Sequence, residues 1–170
     1  MIIGIDATNI KSDGGIVHLF ELINNFKFKK TKIKKIIIWG NWNSLKKIKK
    51  DSRVQKIFVD TISSGTTYNF FWQLLFLPSE LKKHNCNVLF VLGGVFFNKI
   101  VPTVSIFQNI LPFIKDETKK YSFFERIKLL IQKKIYINTF SKSDGLIFLS
   151  NFSKKILRKE ISFNKKKITT

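Results

Sequence analysis

Cysteine is nearly missing from this chain of 170 residues. The single thiol, Cys86, excludes an intramolecular disulfide and fits a reducing cytosol. Two histidines far apart, with that one cysteine, offer neither a metal cluster nor a Cys/His pair. Long apolar runs are lacking too. The longest candidate, Phe70 to Leu81, is interrupted by Gln73, Pro78, Ser79 and Glu80, so it should not cross a bilayer. The opening MIIGID has no basic stretch followed by a long apolar one, so no secretory signal is expected there. Alanine, proline and arginine are scarce, at one, three and three residues.

What is abundant is lysine, asparagine, isoleucine and phenylalanine, together roughly half of the chain. That skew is expected where A/T-rich codons dominate. With 44% apolar and 25% charged residues the composition is globular and not disordered. The formal charge of +20 resembles a nucleic-acid signal, but 28 of the 31 basic residues are lysine. Arginine is the better residue for bidentate phosphate or base recognition, so nucleic acid is set aside as a partner. Runs such as 46–50 and 165–167 read first as solvated faces. A basic field for anionic lipid or a phosphorylated substrate is the alternative.

Short apolar runs alternate with amphipathic stretches along the chain. Ile2–Ile5, Ile33–Trp39, Val54–Val59, Val88–Leu92, Val101–Phe107 and Gly145–Leu149 predict six strands. Helical spacing predicts a helix through Ile16, Leu19, Phe20, Ile23 and Phe26, and a short one over 44–50. A longer helix over 67–83 should bend or break near Pro78. A helix over 122–140 carries Phe124, Ile127, Ile131 and Ile135 on one side, and another covers 151–159. Residues 115–120 read as a charged loop, and 168–170 as the start of a further element. The pattern predicts an α/β sandwich around a parallel sheet.

In such a sheet ligands collect at the carboxyl ends of the strands. Asp6, Thr8 and Asn9, then Gly93 and Gly94, then Gln108 and Asn109, and finally Ser150 and Asn151 fall there. The segment Ser12-Asp13-Gly14-Gly15 is read as a loop before the first helix. It permits close backbone approach to a phosphate at a helix N-terminus; a plain N-cap at Ser12 or Asp13 explains it equally well. Neither the dinucleotide fingerprint nor a P-loop is present. His18, one turn further, is a structural or a site histidine, and His84 ends a lysine-rich helix. Asp116, Glu117 and Glu125 have no partner at a spacing that implies paired acid/base work. Asn9 and Asn109 could bind a sugar hydroxyl or their own turns. The run Phe70-Phe71-Trp72 with Leu74–Leu77 is apolar nearly all round. It reads as core, or as a surface facing an acceptor or a membrane.

Several of these segments together resemble the N-terminal domain of the GT-B glycosyltransferases, of the large retaining group called family 4. The residues that carry the resemblance are GIDATNI at 4–10 with Gly14-Gly15-Ile16-Val17-His18-Leu19, VLFVLGG at 88–94, VSIFQNILPF at 104–113, RIKLLIQKKIY at 126–136 and SDGLIFLSNFSKKIL at 143–157. The resemblance implies a Rossmann-like three-layer sandwich over 1–170, the acceptor-side half of a GT-B fold, with a C-terminal donor-binding domain absent from this chain. It implies Gly14 and Gly15 as the loop near the donor diphosphate, with Asn9, His18, Gly94, Gln108 and Asn109 as candidate sugar or acceptor contacts. Many members carry a His-Asp pair where this chain has Gln108-Asn109, so no catalytic side chain is assigned to this half.

The expected function is therefore transfer of a sugar from a nucleotide-sugar donor to a glycan or lipid-linked acceptor, in surface polysaccharide synthesis. It would need no metal or other cofactor, and would proceed in the cytoplasm with peripheral contact at the inner membrane face. Half a cleft does not fix charge-stabilising groups around a reacting centre, so these 170 residues alone are expected to be inactive. The other reading is a non-catalytic basic α/β module that binds a partner protein or an anionic surface.

Overall fold

The computed structural model describes residues 1–10, 13–59, 65–92, 95–163 and 167–170, and the chain divides into two compact units, Met1–Thr103 and Val104–Thr170. In the first unit the apolar runs pair as parallel strands in the order β3-β2-β1-β4. These are β1 (Ile2–Asp6), β2 (Lys35–Gly40), β3 (Val54–Phe58) and β4 (Val88–Val91). Register places Asp6 beside Trp39 on one flank and Val91 on the other, while Trp39 lies beside Ile57. Ile36, Ile37, Ile38 and Trp39 are all buried, as expected of a central parallel strand covered on both faces.

Alternation along β2 separates those faces. Ile37 and Trp39 join Leu89, Val91, Trp72, Leu77, Leu81 and Cys86 in one apolar cluster. Gly4 belongs to this face, where a Cβ would lie 2.8 Å from the Trp39 ring and 2.9 Å from Leu81, so only glycine fits. Gly40 faces the other way, toward Ser44 and Leu45 of α2 (Trp42–Leu45). Lys56 reaches the same side and donates to the carbonyls of Leu45 and Ile48. Helix α1 (Asp13–Asn24) packs on α2 and buries Ile16, Leu19 and Ile23.

The long helical stretch consists of α3 (Gly65–Phe71), a π-helical turn over Trp72–Phe76, and α4 (Leu77–Lys83). Proline does not break it. Pro78 has no N–H for the carbonyl of Leu74, and the Asn98 side chain donates to that carbonyl instead at 2.9 Å. The π turn widens the helix just before the proline, and Asn85, at φ 51°, closes it in the left-handed conformation.

The second unit holds β5 (Thr103–Phe107, of which Val104 onward), β6 (Gly145–Phe148) and β7 (Lys167–Thr169), parallel in the order β5-β6-β7. Phe107 gathers Phe113, Phe140 and Phe148 edge-on around it, at 5.1, 5.1 and 6.1 Å. Helix α5 (Lys115–Thr118) occupies part of the predicted charged loop. Helix α6 (Phe123–Lys142) starts at a capping box, in which Glu125 accepts from both the backbone N–H and the hydroxyl of Ser122. Helix α7 (Asn151–Arg158) starts at Ser150, whose Oγ accepts from the Ser153 N–H at 3.1 Å.

The parallel α/β architecture expected from the strand–helix alternation is the one observed, with helices flanking the sheet. The tail expected to begin an element does so, as the strand β7. Two local expectations fail. The helix expected over 44–50 is only the four residues of α2. On α6, three members of the predicted stripe, Phe124, Ile127 and Ile131, are exposed, and the buried residues are Tyr136, Thr139 and Phe140.

Candidate functional site

Strand β1 ends by carrying Asp6 to the carboxyl edge of its sheet, on the face covered by the π turn. The side chain is buried, and each of its oxygens is held. Oδ1 accepts from the backbone N–H and the hydroxyl of Thr8, at 3.0 and 2.7 Å. Oδ2 accepts from Gln73 Nε2 at 2.6 Å. Burial raises the Asp6 pKa above the ordinary carboxylate value, while the hydrogen bonds from Thr8 and Gln73 oppose that rise. The carboxyl is thereby locked in place, closing the turn that leads from β1 toward α1.

Two amides complete the cluster. Gln73, 3% exposed, projects from the π turn and also reaches the Val95 carbonyl at 3.4 Å. Asn69, 2% exposed, makes only long bonds, from Nδ2 to the Thr8 carbonyl at 3.5 Å and to Asn9 Oδ1 at 3.4 Å. Its own Oδ1 has no partner among the described residues. An unpaired buried acceptor costs about 1–3 kcal/mol, so a group that brings a donor, such as water or a ligand hydroxyl, is favoured there.

The start of α1 is the second component. The helix begins at Asp13, so Gly14 and Gly15 lie within its first turn and not in a loop ahead of it, as the sequence had implied. First-turn N–H groups lack intrahelical acceptors and carry the positive end of the helix dipole. A Cβ added at Gly14 would meet nothing within 4 Å, and the backbone there is not left-handed. Among the described residues neither packing nor conformation requires glycine at 14, and none of them fills the space beside it. His18, one turn on, is half-buried.

The predicted contacts divide into three groups. Asn9 joins the Asp6 cluster through Asn69, and Gly14, Gly15 and His18 share the opening turns of α1. Gly94 lies outside the described residues, as do Ser12 and Gly93. Gln108 and Asn109 belong to the second unit, where they follow the carboxyl end of β5 and are exposed. Asn109 Oδ1 accepts from the Leu111 N–H at 3.1 Å, and its side chain bonds the Tyr136 hydroxyl. Asn109 thus braces its own turn. The acidic candidates are engaged locally, Asp116 with Lys119 and Glu117 with Lys120.

Sequence reasoning missed Asn69 and Gln73. The signal for Gln73 was present, since it is the sole polar residue between Phe70 and Leu77 and a buried amide requires partners. The first unit also has a cavity of about 570 Å³ whose lining includes Trp39, Tyr68, Trp72, Glu80 and His84. Burial pushes the Glu80 carboxyl up, but bonds from Trp39 Nε1 and Lys83, with the charges of Lys83 and His84, hold it below the ordinary value. Among the described residues, no three His, Cys, Asp or Glu side chains come together as a metal site.

These features define a parallel α/β protein of the Rossmann-like class, with polar groups gathered at the carboxyl end of its first strand. No protein-family profile and no curated protein matches the chain. Among solved structures, UDP-GlcNAc 2-epimerase from Methanocaldococcus jannaschii has a TM-score of 0.50 and 17% identity, over 100% of this chain and 45% of that one. The chain thus spans less than half the length of that protein, and the likeness is one of fold.

Proposed function

We propose that this chain is the N-terminal, acceptor-side part of a retaining glycosyltransferase of the GT-B type. The complete polypeptide would move a sugar from a nucleotide-sugar donor to a glycan or lipid-linked acceptor, in surface polysaccharide synthesis. The observation that carries the reading is the open first turn of α1, where Gly14 is demanded by nothing among the described residues. A donor diphosphate approaching that turn meets the positive end of the helix dipole, and glycine removes the Cβ that would obstruct it. Gly15 serves the same turn. Asn9 and His18 would flank the sugar, and the Asn69 oxygen, which has no partner among the described residues, offers an acceptor for a hydroxyl.

The fold shared with an enzyme named for a UDP-sugar is in keeping with a nucleotide sugar as the ligand class. The groups that neutralise the diphosphate would come from a C-terminal domain, so residues 1–170 alone are expected to give no turnover. The reading places the protein in the cytoplasm, peripheral to the inner face of the membrane where lipid-linked acceptors lie. The test is a screen of the complete polypeptide against common nucleotide sugars with native acceptor extract. Transfer from one donor supports the proposal, and no transfer from any overturns it. The alternative, a non-catalytic basic module, draws on one observation, the exposed apolar side of α6 beside basic residues.

A further inference from the structure

Helix α6 is apolar on two opposite sides. At about 100° per residue, Tyr136 and Phe140 fall together with Leu129, and this is the side that enters the core of the second unit. Phe123, Phe124, Ile127, Leu130 and Ile131 fall within an arc of about 120° on the other side. They are 71, 74, 40, 61 and 54% exposed. Phe123 and Phe124 lean on each other, ring centroids 5.8 Å apart. A five-residue stripe of large apolar side chains at the start of a 20-residue helix is not scattered surface hydrophobicity. Among the described residues nothing buries it, although the helix that carries it is anchored by the Ser122–Glu125 capping box.

Its surroundings are basic. Residues 115–134 contain seven lysines and arginines against three acids. Two of those acids are bound to neighbouring lysines and the third to Ser122. Lys128 flanks the stripe, and Lys134 closes it one turn further on. Tyr121, 38% exposed, precedes it. Large apolar residues on one side, lysines beside them and an aromatic ring at the edge are what a helix lying in a bilayer interface requires. Negative headgroups complement the lysine excess.

We propose that the solvent side of α6 docks this protein onto a membrane rich in anionic lipid, with Phe123, Phe124, Ile127, Leu130 and Ile131 entering the acyl boundary and Lys128 and Lys134 at the headgroups. This deepens the peripheral location put forward above and rests on that part of the reading alone. Vesicle binding and sugar transfer are measured separately, so either can fail without the other.

The experiment is co-sedimentation of the 170-residue chain with vesicles of phosphatidylcholine alone, or of phosphatidylcholine and phosphatidylglycerol in equal parts, at low and high salt. Phe123→Ser/Phe124→Ser and Lys128→Glu/Lys134→Glu are compared with Phe71→Ser/Phe76→Ser, which alters exposed aromatics of the first unit. Denaturation midpoints check that each variant folds. Binding is expected only with the anionic vesicles, weakened by salt, and about tenfold weaker in both α6 variants. The first-unit variant should bind as the parent does. The proposal is overturned by no binding at low salt, by binding that the α6 variants leave intact, or by binding lost only in the first-unit variant. Self-association abolished by Phe123→Ser/Phe124→Ser would overturn it equally, by assigning the stripe to a second copy of the chain.

Discussion

The helical stretch 65–83 and helix α6 both leave large apolar side chains in solvent, Phe70, Phe71, Leu75 and Phe76 on one and Phe123, Phe124, Leu130 and Ile131 on the other, but they differ in what they send inward. In the first, Trp72, Leu77 and Leu81 turn inward to the sheet, and a polar residue, Gln73, goes in with them to hold Asp6. In α6 the inward contacts come from the second half, while the apolar residues of the first half remain in solvent. Apolar content therefore predicts burial only where a sheet face lies opposite to receive it. A lone polar residue in an apolar run, as Gln73 is, marks a site in the core.

The contrast is most sharply tested by truncating one aromatic from each. Trp72→Ala should cost about 3–5 kcal/mol, and Phe123→Ala should stay within about 0.5 kcal/mol, as read from urea unfolding. Equal costs would mean that the two helices are not used differently.

Next in size is the Asp6–Gln73 contact. Gln73→Leu leaves Asp6 Oδ2 buried without its donor and should cost about 1–3 kcal/mol at neutral pH. Burial raises the pKa of Asp6, so the unfolded chain releases that proton first. The carboxyl therefore disfavours folding progressively as pH rises from the ordinary aspartate value through the raised one. Denaturation midpoints across that acidic window should show this slope in the parent and lose it in Asp6→Asn.

Smaller again is the cap of α6. Ser122→Ala removes one half of a capping box, for about 1 kcal/mol, and should speed amide exchange at 123–126 without touching the first unit. Smallest is Gly14→Ala. With open space around the Cβ it should leave stability unchanged or raise it by up to about 1 kcal/mol, measured in the same unfolding assay.

Much of this was legible before any coordinates. Buried parallel strands are short continuous apolar runs, and the six predicted from such runs are found within one to two residues at most ends. Other features were not legible because they depend on what lies opposite. The stripe on α6 has helical spacing whether it faces core or solvent. The extent of α2 is set by the Asn41 cap and the sheet face beneath it, not by periodicity over 44–50. Helix α1 begins three residues before its first apolar member, because glycines at 14 and 15 carry no pattern. The Asp6–Gln73 bond spans 67 residues, a distance over which local spacing carries no information.

The most direct test of the central claim uses Gly14, because bulk there separates folding from ligand approach. Sugar transfer by the complete polypeptide would be compared for the parent, Gly14→Ala and Gly14→Val, each confirmed to unfold at or above the parent's midpoint. If a donor diphosphate closes on the first turn of α1, transfer should fall at least about tenfold, or 1.4 kcal/mol in transition-state stabilisation, and further with valine than with alanine. Undiminished transfer by a folded Gly14→Val protein would contradict the account.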